Sequence, residues 1–169
     1  VNELPVRKHP RLKTHSYSQI GSYFVTFCVK DRHEILGEIV GRGILDAPHM
    51  VLSEHGTNLC NTIDYVNKNS DNIVITKYVI MPNHVHLIVN ICNSTDGASG
   101  KPRPANALIP KLISSIKRYT NKLAGFNMWQ RSYHDRIIRD ETEYQRISQY
   151  IGENPAKWPE DEYFIIKSP

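Results

Sequence analysis

YVIMPNHVHLIV, residues 78–89, is the stretch on which the reading of the fold turns. It is apolar and β-branched, and two histidines, His84 and His86, stand one residue apart inside it. A strand sends alternate side chains to the same face. His84 and His86 therefore point to one side of a sheet, and Val85 and Leu87 to the other. Two imidazoles converging from a rigid element are the start of a metal site, although such a pair alone is as often structural. Pro82 has no amide hydrogen to donate and marks an edge or bend just before the pair.

Working outward, residues 72–80 read as a strand leading into that bend. Residues 22–30 (SYFVTFCVK) are aromatic and β-branched, without Pro or Gly, and predict a central strand. Short strands are expected at 39–40 and 49–52, around a Gly-containing turn at 41–46. Ser53 can cap a helix whose Leu59, Ile63 and Val66 share one face, with a polar stop at 67–71. Downstream, Leu108, Leu112, Ile113, Ile116 and Tyr119 give a helix over 106–123, with Pro110 tolerated in its first turn. Residues 128–138 read as an extended segment or short strand that ends on Arg139. Asp140 and Glu143 form a capping-box pattern for a last helix, in which Tyr144, Ile147 and Ile151 make the buried face. Tyr150 borders that stripe, and Pro155 ends the helix near Asn154. The tail from Trp158 is expected to pack back on the domain.

This order predicts an α+β fold with a mostly antiparallel sheet. It has the split β-α-β pattern, with helices on one face and the last helix set apart. Residues 1–21 read as a basic arm containing Arg7, Lys8, Arg11 and Lys13. Residues 93–105 (NSTDGASGKPRPA) read as a flexible loop.

The 169 residues suit one domain with a real core. A charge of +4 permits a nucleic-acid partner without arguing strongly for one. The three cysteines are far apart, odd in number and lack C-x-x-C spacing, so neither a zinc ribbon nor a disulfide framework follows from them, and a reducing cytoplasm fits best. No apolar run reaches ~18 residues, so no membrane span is expected.

Tyr150 and Asn154 lie four apart on the last helix and project from one face. A tyrosine beside a metal is a candidate nucleophile, and an asparagine oxygen is a hard ligand suited to Mg²⁺ or Mn²⁺ beside imidazoles. The competing readings are plain: Tyr150 as a packing tyrosine, Asn154 as a helix cap. His134 has no assignable partner and reads as a surface residue. Lys111, Lys117, Arg118 and Lys122 make the middle helix basic, with Lys117 its best phosphate contact. Arg11, Lys117, Arg131 and Arg139 are the candidate DNA-holding residues.

With these pieces in hand, YVIMPNHVHLIV resembles the HUH motif of single-tyrosine transposases. RLKTHSYSQIGSYFVTFCVKDRHEILGEI resembles the opening of the REP-associated tyrosine transposases, and WQRSYHDRIIRDETEYQRISQYIGENPAKW resembles their C-terminal signature. The resemblance runs from about Arg11 to Trp158. It implies a ferredoxin-like domain filling residues 1–169, with the catalytic tyrosine on the helix at 140–154. It also implies His84, His86 and Asn154 as ligands of a divalent metal, and Tyr150 rather than Tyr144 as nucleophile. The implied reaction is cleavage and strand transfer of single-stranded DNA through a 5′-phosphotyrosine, on hairpins of palindromic repeats, by a monomer or a homodimer. Two rivals stand beside it. One is a catalytically silent nucleic-acid binder. The other is a water-using phosphoesterase, disfavoured by the lack of a second H-x-[ST] motif.

Overall fold

The computed structural model describes residues 20–41, 46–92 and 108–165. Arg11, most of the basic arm and the loop at 93–105 lie outside the described residues. Among the described residues, six strands and three α-helices follow in the order β1 (Gly21–Cys28), β2 (Gly37–Val40), β3 (His49–Leu52), α1 (Glu54–Asn69), β4 (Ile73–Ile80), β5 (His84–Ile91), α2 (Leu108–Ala124), β6 (His134–Ile138) and α3 (Glu141–Glu153). A 3-10 helix, Asn154–Glu160, continues directly from α3.

The main sheet has the order β4-β5-β1-β6, and each neighbouring pair is antiparallel. β5 lies between β1 and β4, which are therefore parallel to each other across it. This is the split β-α-β arrangement expected from the sequence. β2 and β3 form a separate two-stranded ribbon.

The alternation inside β1 and β5 divides the molecule into two layers. Tyr23, Val25 and Phe27 of β1 lie opposite Val89, Leu87 and Val85 of β5, and all six are buried. They pack with Leu59 and Ile63 of α1 and with Ile109, Leu112, Ile113 and Ile116 of α2. Fully burying a side chain of this size contributes about 1.5–3 kcal/mol, so this layer holds most of the stability. The opposite face presents Phe24, Thr26, His84, His86 and Ile88. There Ile88 joins Ile138, Ile147 and Ile151 in a smaller core beneath α3. The histidines thus face the tyrosine helix, not the two core helices.

A bulge between Ile75 and Lys77 shifts the phase of β4. Beyond it, Lys77 and Val79 lie opposite Ile88 and His86, on the α3 face, while Tyr78 turns to Cys60 of α1. An extra residue reverses alternation in this way because the side-chain period is two.

The helix starts follow the sequence. Gly56 N–H donates to the Ser53 hydroxyl at 3.2 Å, and Glu143 N–H to the Asp140 carboxylate at 2.8 Å. The Glu143 carboxylate reaches back to accept from Arg139 N–H at 3.0 Å. One expectation is corrected. Tyr119 is 53% exposed, and the buried stripe of α2 runs through Ile109 and Thr120 instead. The Thr120 hydroxyl accepts from the Trp129 indole at 2.7 Å, which fixes the rotation of the helix.

Gly56 marks the tightest approach of α1 to the rest of the fold. A Cβ there would lie 2.1 Å from the Leu36 carbonyl oxygen. Gly56→Ala is expected to lower unfolding free energy by about 3 kcal/mol, because backbone must move to admit the methyl group. Urea denaturation checks this; an unchanged midpoint would show that the 35–37 segment yields freely.

Candidate functional site

The site begins at the bend before β5. Asn83 is fully buried, and its amide donates to the carbonyls of Arg32 (3.2 Å) and Tyr163 (2.8 Å). That leaves the Asn83 oxygen facing His84 Nδ1 at 3.0 Å. An amide oxygen only accepts, so Nδ1 carries the proton and Nε2 of the neutral ring presents its lone pair. By its hydrogen bond to Nδ1, Asn83 sets the tautomer of His84.

His86 lies opposite Thr26 in the register, and its Nδ1 meets the Thr26 hydroxyl at 2.7 Å. A hydroxyl can donate or accept, so His86 can also present Nε2 as a lone pair. The two Nε2 atoms are 3.1 Å apart. Two ligand atoms held at right angles on one metal, with bonds of ~2.1 Å, are separated by ~3.0 Å. The pair is therefore spaced for a shared cation. Burial pushes the His84 imidazolium pKa down to about 2, helped by His86 and Arg32, and that of His86 down to about 3. Both rings are neutral at physiological pH, as metal ligands must be.

Tyr150 reaches this pair from the same chain. Its hydroxyl is 3.3 Å from His86 Nε2, and its ring meets His86 and Phe24 edge-on. The residue is 40% exposed, so a substrate can approach the phenol while the histidines behind it are buried. Partial burial and the Asp161 carboxylate raise the phenol pKa above its ordinary value of 10, with the Asn154 amide working in the opposite direction. Tyr144, the competing tyrosine, is turned elsewhere and pairs with the Thr76 hydroxyl at 3.1 Å.

Asn154, one turn after Tyr150, is buried. Its amide donates to Asp161 at 3.3 Å, and its oxygen is buried without a hydrogen-bond partner. An orphaned buried oxygen beside two convergent imidazoles suits a hard divalent cation. Asp161 completes the picture: ligand atoms of His84, His86 and Asp161 all lie within 4.8 Å of one another. Sequence reasoning missed Asp161, which sits beyond the 3-10 helix in the turn after Trp158-Pro159. The residues present therefore fit a divalent metal. Cys28, opposite His84 in the register, is held as a thiol, its pKa pushed up by burial to about 11.

This site sits on a known scaffold. The chain shares its fold with a REP-associated tyrosine transposase. The solved structure of that protein, bound to a REP hairpin, superposes with a TM-score of 0.60 at 20% identity, over 90% of this chain and 74% of that one. A Haemophilus influenzae protein described only as uncharacterized is 28% identical over 174 residues, covering 94% of this chain and 93% of that protein. No family model matches the chain.

The basic candidates separate in space. Arg131 and Arg139 are exposed. Lys117 lies on the far side of the sheet from the histidines. Its ammonium donates to the carbonyls of Gln130 (2.7 Å) and Ser132 (2.9 Å) and sits 5.6 Å from the Phe27 ring centroid. Burial lowers its pKa to about 8. The best phosphate contact of the sequence reading is thus a tie between α2 and the segment leading to β6. Lys117→Met is expected to cost about 1–3 kcal/mol of unfolding free energy, since two carbonyls lose their donor. A denaturation midpoint equal to that of the parent protein would contradict this role.

Two basic residues passed over in the sequence do reach the site face. Arg136, opposite Phe24 in the register, places its guanidinium 5.5 Å from that ring. Lys77 approaches α3 at Gly152, where an added Cβ would lie 3.7 Å from the ammonium. Among the described residues, no helix is long and apolar enough to cross a membrane.

Proposed function

We propose that this chain cleaves and rejoins single-stranded DNA by transesterification, with Tyr150 as nucleophile and a divalent metal held by His84, His86 and the oxygen ligands beside them. One observation carries the reading: the Tyr150 hydroxyl stands 3.3 Å from His86 Nε2, within the same chain and on the same face as both imidazoles. The shared fold adds support, since that transposase was solved bound to a REP hairpin.

The chemistry follows from the placement. A bond forms between Tyr150 Oη and the scissile phosphorus, and the bond from phosphorus to the 3′ oxygen breaks. The products are a 5′-phosphotyrosine and a free 3′-OH, which ends with the phenolic proton. Attack by another 3′-OH reverses these steps and joins strands, so no nucleotide cofactor is consumed. A divalent ion such as Mg²⁺ or Mn²⁺, when bound, supplies polarisation of a phosphate oxygen and support for charge on the leaving oxygen. Phe24 holds the Tyr150 ring edge-on, and the Asn154 amide opposes the upward pull on the phenol pKa. Lys77, Arg136, Arg131 and Arg139 are basic residues available to the DNA backbone.

The test is direct. The protein is incubated with Mn²⁺ and single-stranded hairpin oligonucleotides copied from the DNA flanking its gene, then run on a denaturing gel. A covalent protein–DNA band supports the reading. Binding without any band favours the silent binding module, and turnover without a band favours a water nucleophile.

A further inference from the structure

β1 and β6 bring a second set of groups to the face that carries Tyr150. Phe24 lies opposite Arg136 in the register, so both side chains leave the sheet on the side of the two histidines. The Phe24 ring stacks on the His86 imidazole, with centroids 5.2 Å apart and planes 26° from parallel. The Arg136 guanidinium lies over the same ring, 5.5 Å from its centroid. β5 and β6 flank β1 on opposite sides, so Phe24 stands between imidazole and guanidinium. Tyr150 meets that ring edge-on at 6.2 Å.

Glu143 of α3 holds the guanidinium in this place. One of its carboxylate oxygens is 3.5 Å from Arg136 Nη1 and 3.8 Å from Arg146 Nη2. The other accepts from Arg139 N–H at 3.0 Å, so the carboxylate is itself anchored by the helix cap. A positive charge already paired with a carboxylate adds little to the attraction felt by a phosphate. What Arg136 still offers is a flat surface. Its side chain is 51% exposed, and a planar guanidinium backed by an aromatic ring takes a nucleobase on its open face.

We propose that Arg136, laid over Phe24 and held by Glu143, is a stacking platform for the base of a nucleotide beside the scissile phosphate. This rests on the reading of Tyr150 as the nucleophile toward single-stranded DNA. The phenol and the guanidinium touch the same ring, so a strand whose phosphate lies at Tyr150 carries a neighbouring base over Arg136. Stacking that base fixes the course of the strand and positions the phosphorus for attack.

The test is equilibrium binding of the full chain in a Tyr150→Phe background, where no strand is cut. The probes are fluorescein-labelled hairpin oligonucleotides copied from the DNA flanking the gene. They are intact or carry one abasic nucleotide at each position of the single-stranded part in turn. With Arg136 in place, the abasic nucleotide at the platform position is expected to weaken binding by about tenfold. With Arg136→Ala the intact strand is expected to bind about tenfold more weakly, and that abasic position to make no further difference. Arg136→Lys keeps the charge and loses the plane, so it is expected to lose the base dependence as well. It replaces the alanine variant if that one unfolds, with thermal melts as the check. An abasic penalty that survives in either variant overturns the platform and leaves Arg136 a phosphate contact only. Adduct formation by the parent protein with Mn²⁺ separates the two levels. Coupling between Arg136 and the base without any adduct sinks the nucleophile reading; an adduct without that coupling sinks the platform alone. A protein that binds none of the strands overturns both.

Discussion

Tyr150→Phe is expected to abolish the covalent protein–DNA adduct, with cleavage falling by at least about 10⁴-fold. The substitution removes one oxygen, and that oxygen forms the bond to phosphorus. The ring stays, and so does its edge contact with Phe24. The hydroxyl's hydrogen bond to His86 is 3.3 Å long at a half-exposed residue, so stability is expected to stay within about 0.5 kcal/mol of the parent protein. Activity and stability therefore separate cleanly, which a packing tyrosine would not allow. Denaturing gels measure the first and thermal melts the second. An adduct that survives in the Phe variant would move the nucleophile elsewhere. Tyr144 is then the first residue to examine, although its hydroxyl is engaged by Thr76.

The second large effect is expected at His86. His86→Ala removes a candidate metal ligand, the hydrogen-bond partner of Tyr150, and a ring stacked 5.2 Å from Phe24. Mn²⁺ binding is expected to fall by at least about 100-fold, and adduct formation with it. Stability is expected to drop by only about 1–3 kcal/mol, because a buried ring is lost but Thr26 can turn its hydroxyl to other partners. The variant should remain folded by circular dichroism at 25 °C while inactive. Adduct formation at the parent rate under saturating Mn²⁺ would show that the imidazole pair is not the centre of the chemistry. His86→Gln offers a milder comparison, since its amide oxygen can take the place of Nε2 as an acceptor.

Read together, the two variants divide the site. Tyr150→Phe is expected to bind Mn²⁺ normally and fail to form the adduct. His86→Ala is expected to fail at both. If both lose metal binding equally, the phenol itself is helping to hold the ion, and the separation of nucleophile from ligand has to be redrawn.

The shared face of His84 and His86 was legible in the sequence, because strand alternation has a period of two and needs no other part of the chain. The same holds for Tyr150 and Asn154, one helical turn apart, and for the caps at Ser53 and Asp140, which bond within three residues of themselves. The split β-α-β order followed from the succession of strong strand and helix patterns. Tertiary structure alone decided what lies across from those elements. Asp161 comes close to His84 through a turn pinned by Arg32 and Asn83, residues far away in sequence. Lys77 reaches the tyrosine face because a bulge in β4 shifts its phase, and a bulge depends on the partner strand. Lys117 looked like a phosphate contact on a basic helix until two carbonyls from a later segment closed on its ammonium. Tyr119 fell on the apolar stripe by spacing, but the packing of Trp129 against Thr120 turned it to solvent. Local periodicity determines which way a side chain leaves its own element. What it meets there depends on contacts closed over long stretches of chain, which is why the Asp161 carboxylate beside the two imidazoles came from the fold and not from the sequence.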